Sequence, residues 1–315
     1  MNGAGKRILI AGPPRSGTTW VANVLATAPG VSLSIEPDNE KTSLLARICK
    51  KDLPRFPTCA PGETHPGYEL LWRWAFDSRM GPFFSRSWLT RVAMLGGDRV
   101  EASIARKPVS VPLPAGSARE DDTLRPPNGN GPRRPRIVKS VHSVLCLDWV
   151  CETFRPDQVV ILNRHPLAVI DSWRRLNMPD AARLWPAGLA WLERAGAAPV
   201  EDADDPIVRM ALQAGLMLRC LDDFCETRGD VIRVDHESLC VDPVAGFEAL
   251  FRRCGLPWTE AVLEGIEASN REGEGYRPVR LAHREVGKWQ GQFTSTELKR
   301  LTAILEAFHI ALPTD

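Results

Sequence analysis

Arg7-Ile8-Leu9-Ile10-Ala11-Gly12-Pro13-Pro14-Arg15-Ser16-Gly17-Thr18-Thr19-Trp20 decides the architecture. The apolar run that opens it, closed by Gly and Pro, reads as a short buried strand. Residues 13–19 make a turn of Gly, Pro, Ser and Thr, and apolar Trp20, Val21, Val24 and Leu25 then recur as on one face of a helix over 19–28. Strand, turn and helix in this order open an α/β domain. The turn suits an anion. Glycine lets the backbone approach closely, and the helix start offers unpaired N–H groups and a positive dipole end. Arg15 adds charge, and Ser16, Thr18 and Thr19 add hydroxyl donors.

The same alternation continues along the chain. Strands are predicted at Val31–Ile35, Arg136–Lys139, Val159–Leu162 and Val231–Val234. Helices are predicted over 42–50, most of 68–104, up to about Arg155, up to Arg175, with breaks over 186–227, and at 243–254, 259–268 and 295–307. Strands alternating with helices imply a parallel sheet with right-handed crossovers. The expected fold is α/β: a three-layer fold of P-loop type, a central parallel sheet flanked by helices, in one domain spanning residues 1–315. Lys107–Pro135, dominated by Pro, Gly, Asn, Arg and Asp, lacks the apolar side chains to order itself and reads as a flexible insert, either a plain surface loop or a lid over an acceptor.

Composition bounds the function. With 315 residues and 43% hydrophobic side chains, the chain can bury a large core. Its 40 Lys and Arg against 39 Asp and Glu, a net charge of +1, leave no global field for nucleic acid or an anionic membrane. Met1–Arg7 is short and polar, unlike a signal region, and no apolar stretch reaches the roughly 18 residues of a membrane span. The eight cysteines are scattered and read as reduced thiols; no zinc spacing is present and no metal is expected. Arg far outnumbers Lys, and Ala and Pro are abundant, which looks like a high-GC genome; a cytoplasmic, bacterial protein is expected.

Gly12 and Gly17 keep the glycine spacing of the ATP-type loop GxxxxGK[ST], but Thr18 stands where that loop carries lysine. The strand Val159–Leu162 leads into Asn163 and Arg164 rather than an aspartate that could hold magnesium. A donor with one reacting phosphosulfate fits such a loop better than a triphosphate does.

On these residues the chain resembles the PAPS-dependent sulfotransferase family, closest in style to its bacterial, tyrosylprotein and carbohydrate branches. Pro14-Arg15-Ser16-Gly17-Thr18-Thr19-Trp20 is similar to the family's 5′-phosphosulfate loop, PRSGTT or PxSGTTW. Arg164, with Ser172 eight residues on, resembles the pair that grips the donor's 3′-phosphate. Val234-Asp235-His236-Glu237-Ser238-Leu239 is similar to the YEDL segment, with His236 in place of Tyr at an expected adenine contact. Arg284-Glu285-Val286-Gly287-Lys288-Trp289 resembles the RKGxxGDW loop that closes over the 3′-phosphate, with Lys288 for Asp. The resemblance runs from about residue 7 to residue 305. It implies PAPS as co-substrate, PAP as product, and donor contacts from Arg15, Ser16, Gly17, Thr18, Thr19, Trp20, Arg164, Ser172, His236, Arg284, Gly287 and Lys288.

Sulfuryl transfer to a hydroxyl needs a base at the acceptor, cations where the leaving nucleotide gains charge, and in-line placement. Two bases are candidates. Glu36 ends the strand after the phosphate-loop helix, where the tyrosylprotein and carbohydrate branches carry a catalytic Glu. His142, in Lys139-Ser140-Val141-His142, resembles the KTH element of the small-molecule branch, one residue longer. Lys139 and Arg15 are the candidates for the transferring group. Trp20 is a candidate to stack on adenine, or a core residue. Trp72, Trp74, Trp88, Trp185 and Trp191 read mostly as core. The expected acceptor is a small molecule or a sugar hydroxyl. The competing functions are a P-loop kinase or nucleotide hydrolase, which binds Mg-ATP, and a binding protein without turnover; fold alone does not separate them.

Overall fold

Strands that stay apolar on both faces must be buried between two layers. In this protein, a computed structural model that describes residues 5–77, 134–178, 182–271 and 281–312, they form one parallel sheet. Its strands are β1 (Arg7–Ala11), β2 (Ser32–Ile35), β3 (Arg136–Ser140), β4 (Gln158–Asn163) and β5 (Ile232–Asp235), in the order β2-β3-β1-β4-β5. The register pairs Ile10 and Ile35 with Lys139, Ala11 with Ile161, and Asn163 with Asp235. The carboxyl ends of all the strands therefore come level along one edge of the sheet, where ligands of such folds bind.

Helices cover both faces. On one, α1 (Thr18–Leu25), α8 (His236–Val241), α9 (Pro243–Cys254) and α10 (Glu260–Ser269) pack on Ile8, Ile10, Ile137, Val160 and Leu162. On the other, α3 (Pro66–Asp77), α4 (Leu147–Phe154), α5 (Pro166–Arg175), α6 (Trp185–Arg194), α7 (Pro206–Glu226) and α11 (Ser295–Ala307) pack on Leu9, Ala11, Val138, Val159 and Ile161. The short α2 (Leu44–Cys49) lies between β2 and α3 in sequence. The three-layer expectation holds.

Local chemistry sets the boundaries. α5, α7 and α9 each begin with proline, and His165, Asp205 and Asp242 accept from the first free N–H groups. Thr294 and Glu297 cap α11 reciprocally. Between β3 and α4 the chain makes a 3-10 turn at Ser143–Cys146 rather than running directly into helix. Asp235 caps α8, a helix the sequence did not suggest, by accepting from Ser238 N–H at 2.7 Å. The predicted stretch over 78–104, including Trp88, and nearly all of the 107–135 insert lie outside the described residues. Trp72, Trp74, Trp185 and Trp191 all pack in or against one core cluster, as the core expectation had it. All eight cysteines are unpaired. Among the described residues no helix is long and apolar enough to cross a membrane.

Candidate active site

β1 delivers the phosphate loop. Gly17, at φ 91°, is the N-cap of α1 and places no side chain on the first N–H groups. A Cβ there would lie 2.5 Å from His236 Cδ2, so both the backbone angle and the space demand glycine. Gly12 is equally confined, since a Cβ would lie 2.8 Å from the Leu162 carbonyl. The Ser16 hydroxyl is buried and finds no hydrogen-bond partner among the described residues. A buried donor left over beside a helix start that no side chain caps fits an anionic oxygen.

β4 delivers Arg164, 7% exposed. Its Nη1 donates to the Arg15 carbonyl at 2.9 Å, and its Nη2 meets Glu285 Oε2 at 3.2 Å. Glu237 Oε1 stands 3.9 Å from Nε and also accepts from His165 N–H. Arg15, at φ 72°, turns its Nε onto Ser172 Oγ at 3.2 Å, and the Trp173 indole N–H donates to Pro14 O at 2.8 Å. The loop after β1 and the start of α5 are thus stitched together, which brings Arg15, Arg164 and Ser172 to one place. Lys288 reaches the same place indirectly, with its ammonium on Glu285 Oε1 at 2.8 Å. Arg284 is exposed in a 3-10 turn and Gly287 has φ 66°.

β5 leads directly into His236, which lies against Gly17 and meets the Trp20 ring edge-on at 6.1 Å. Burial lowers the His236 imidazole below its ordinary 6.5, against the pull of Glu237. Trp20 also packs edge-on against Phe247 at 5.1 Å and donates to Ser269 Oγ at 2.8 Å, which seats it firmly on α1.

On the other side of the loop, β2 and β3 deliver the two candidate bases and a cation. Lys139, 2% exposed, bonds Glu36 Oε1 at 2.6 Å. Sequence reasoning singled out both residues separately, Glu36 as a candidate base and Lys139 for the transferring group; the fold makes them one ion pair. Glu36 N–H donates to Lys139 O at 2.6 Å, extending the parallel ladder, and the residue sits at φ 46°. A non-glycine residue in that region is strained, and such strain gathers at functional positions. Asn39 Nδ2 donates to Glu36 Oε2 at 2.8 Å. Burial alone would raise the Glu36 carboxyl. The charge of Lys139 and the bonds from Lys139 and Asn39 outweigh it and hold the group below its ordinary 4.5.

His142 is buried one turn beyond β3, beside a polar cluster that sequence reasoning missed. Asp38, fully buried, accepts from Ser140 Oγ at 2.8 Å and from Tyr68 OH at 3.1 Å, and its carbonyl accepts from Lys50 Nζ at 3.0 Å. The signal was slight: an Asp-Asn pair directly after Glu36-Pro37 looks like a surface turn.

Comparison with known proteins follows from this geometry. The sequence pattern of the Sulfotransferase family matches residues 7–260. No curated protein matches. Among solved structures, the sulfotransferase domain from the curacin biosynthetic pathway is similar at 13% identity with a TM-score of 0.52, covering 98% of this chain and 99% of that one. The sulfotransferase domain from the Synechococcus PCC 7002 olefin synthase is similar at 17% identity with a TM-score of 0.51, covering 99% and 98%. At such identities the likeness is one of fold.

Proposed function

We propose, from the premise that this chain belongs to the sulfotransferase family, that it transfers the sulfuryl group of PAPS to a hydroxyl of a small molecule or a sugar and releases PAP. The observation that carries the donor assignment is the join between two anion sites. Arg164, at the end of β4, is bonded to the backbone of the β1 phosphate loop, and Arg15 of that loop is bonded to Ser172. One ligand with a 5′-phosphosulfate and a separate 3′-phosphate answers that arrangement.

In this reading the N–H groups of Gly17, Thr18 and Thr19 and the Ser16 hydroxyl hold the 5′-phosphosulfate, with Arg15 adding charge. Arg164 and Ser172 take the 3′-phosphate, with Arg284, Gly287 and Lys288 over it. Trp20 and His236 border the adenine. Glu36 is the general base: it is anionic at neutral pH and, at 23% exposed, can be reached by an acceptor. It takes the acceptor proton as the acceptor oxygen bonds to sulfur and the bond from sulfur to the bridging oxygen breaks. PAP leaves with that electron pair, and Lys139 neutralises the charge that develops. The protein works in a bacterial cytoplasm.

Thermal unfolding with PAP, with ATP plus magnesium, and without ligand tests this. A ligand at 100 times its dissociation constant adds about 2.7 kcal/mol. PAP alone should raise the midpoint by several degrees, and Arg164→Ala should abolish the rise. Stabilisation only by Mg-ATP, or a PAP response that survives Arg164→Ala, would favour the kinase or hydrolase reading, in which Thr18 replaces the loop lysine.

A further inference from the structure

Asp38 has its partners arranged with little freedom. The Ser140 hydroxyl accepts from the backbone N–H groups of His142 at 3.1 Å and Ser143 at 3.2 Å, so its own proton is left for Asp38. That oxygen stands 2.8 Å from both Asp38 carboxylate oxygens, and Tyr68 OH donates to Oδ2 at 3.1 Å. Oδ1 also faces His142 Nδ1 at 3.7 Å, a little beyond hydrogen-bond length. Nδ1 is buried and has no hydrogen-bond partner among the described residues. A lone pair on Nδ1 would confront the buried carboxylate at that distance; an N–H there is attracted to it. Electrostatics at that distance in a buried setting selects the N–H.

We propose that Asp38 is a positioning residue that holds His142 in the Nδ1–H tautomer, leaving the lone pair on Nε2 and making His142 a second proton acceptor after Glu36. Glu36 takes the proton as the acceptor O–H bond breaks and gives it up as the Nε2–H bond forms, and Asp38 stabilises the resulting imidazolium without being protonated. The proton-accepting half rests on the sulfotransferase reading; the tautomer half does not.

Asp38→Asn separates the two. Its amide keeps acceptors for Ser140 and Tyr68 but can donate to Nδ1, which moves the imidazole proton to Nε2. The wild-type measurement needs no variant to fold. Long-range nitrogen–proton correlation spectra are recorded at about pH 8.5, roughly two units above the ordinary imidazole value. His142 is identified among the six histidines by its loss in His142→Gln. The expected result is an Nδ1–H signature in wild type and Nε2–H in Asp38→Asn. Turnover should fall about a hundredfold in Asp38→Asn and in His142→Gln, with no further loss in the double variant and donor KM within about threefold. An Nε2–H signature in wild type overturns the inference. The expected tautomers with unchanged turnover overturn the proton-accepting role and leave Glu36 as the acceptor of the proton. A wild-type protein that turns over no PAPS removes the proposed function while the tautomer result stands or falls by itself.

Discussion

The Glu36–Lys139 pair makes a quantitative prediction, because the two halves are buried unequally. The Lys139 side chain is 2% exposed and the Glu36 side chain 23%, with 2.6 Å between Nζ and Oε1. Glu36→Ala strands an ammonium inside the protein, which should cost about 3–5 kcal/mol of stability. Lys139→Met leaves a carboxylate that water still reaches and that Asn39 still bonds, so its cost should be about 1–2 kcal/mol. Removing both charges in Glu36→Ala/Lys139→Met should bring stability back to within about 1 kcal/mol of wild type, a coupling of roughly 3–7 kcal/mol. Urea unfolding at neutral pH measures the cycle. The pH dependence has a definite sign. Glu36 has a folded value held below its ordinary 4.5, so its contribution is complete above about pH 4.5 and is lost as pH falls through the lower folded value. The penalty of Glu36→Ala should therefore shrink in acid. If Glu36→Ala cost no more than Lys139→Met, or the double variant showed no coupling, the pair would not be the compensation for the buried lysine. Its proposed place at the transferring group would lose its basis.

Two further perturbations test the donor side. Gly17→Ala combines a φ of 91° with a Cβ 2.5 Å from the His236 ring and should cost roughly 2–4 kcal/mol and remove PAP binding. Gly30→Ala, at φ 77° with no atom within 4 Å of the new Cβ, should cost only about 1–2 kcal/mol; equal urea midpoints for the two variants would refute the steric argument. Glu285 already occupies Arg164 Nη2 at 3.2 Å, so a 3′-phosphate must displace a carboxylate. Glu285→Ala should then tighten PAP binding by about tenfold, some 1.4 kcal/mol, in titration calorimetry; weaker binding would make Glu285 a support for Arg164 rather than its competitor.

What could be read from sequence divides along physical lines. Phosphate loop, strands and the place of Arg164 were legible because each is local. Hydrophobic runs mark β1 and β4, glycine marks a backbone that must bend, and an arginine just after a strand must lie at the sheet edge. The pairing of Glu36 with Lys139 was not legible, since 103 residues separate them and only the adjacency of β2 and β3 closes the gap. Asp38 was missed for the same reason: its partners Tyr68 and Ser140 lie 30 and 102 residues away. Before those contacts are known, an aspartate in a Pro-Asp-Asn turn is indistinguishable from a solvated one. α8 escaped because its six residues are too few for periodicity to show; only its Asp235 cap marks it. Elements fixed by neighbours in the chain were readable, and elements fixed by neighbours in the sheet were not.

Sheet order also bears on how, in the proposed function, a loop without its lysine would serve an anion. The strand ends present, from β2 to β5, Glu36, then Lys139, then the phosphate loop, then Arg164, then His236. Neighbouring strands lie about 4.8 Å apart, so Glu36 and Arg164 are three gaps, roughly 14 Å, from each other. In an ATP-type loop one lysine concentrates charge on contiguous phosphates. Here Thr18 takes that position, and the cations come from the strands on either side, Lys139 from β3 and Arg164 from β4. Charge spread over two strand gaps matches a ligand with two separated anionic ends better than a triphosphate. It also leaves the β2 end, with its carboxylate, for the group that must lose a proton. In the proposed reaction transfer runs from the loop toward Glu36, along that order, and exchanging the charges at its ends should oppose donor and acceptor alike.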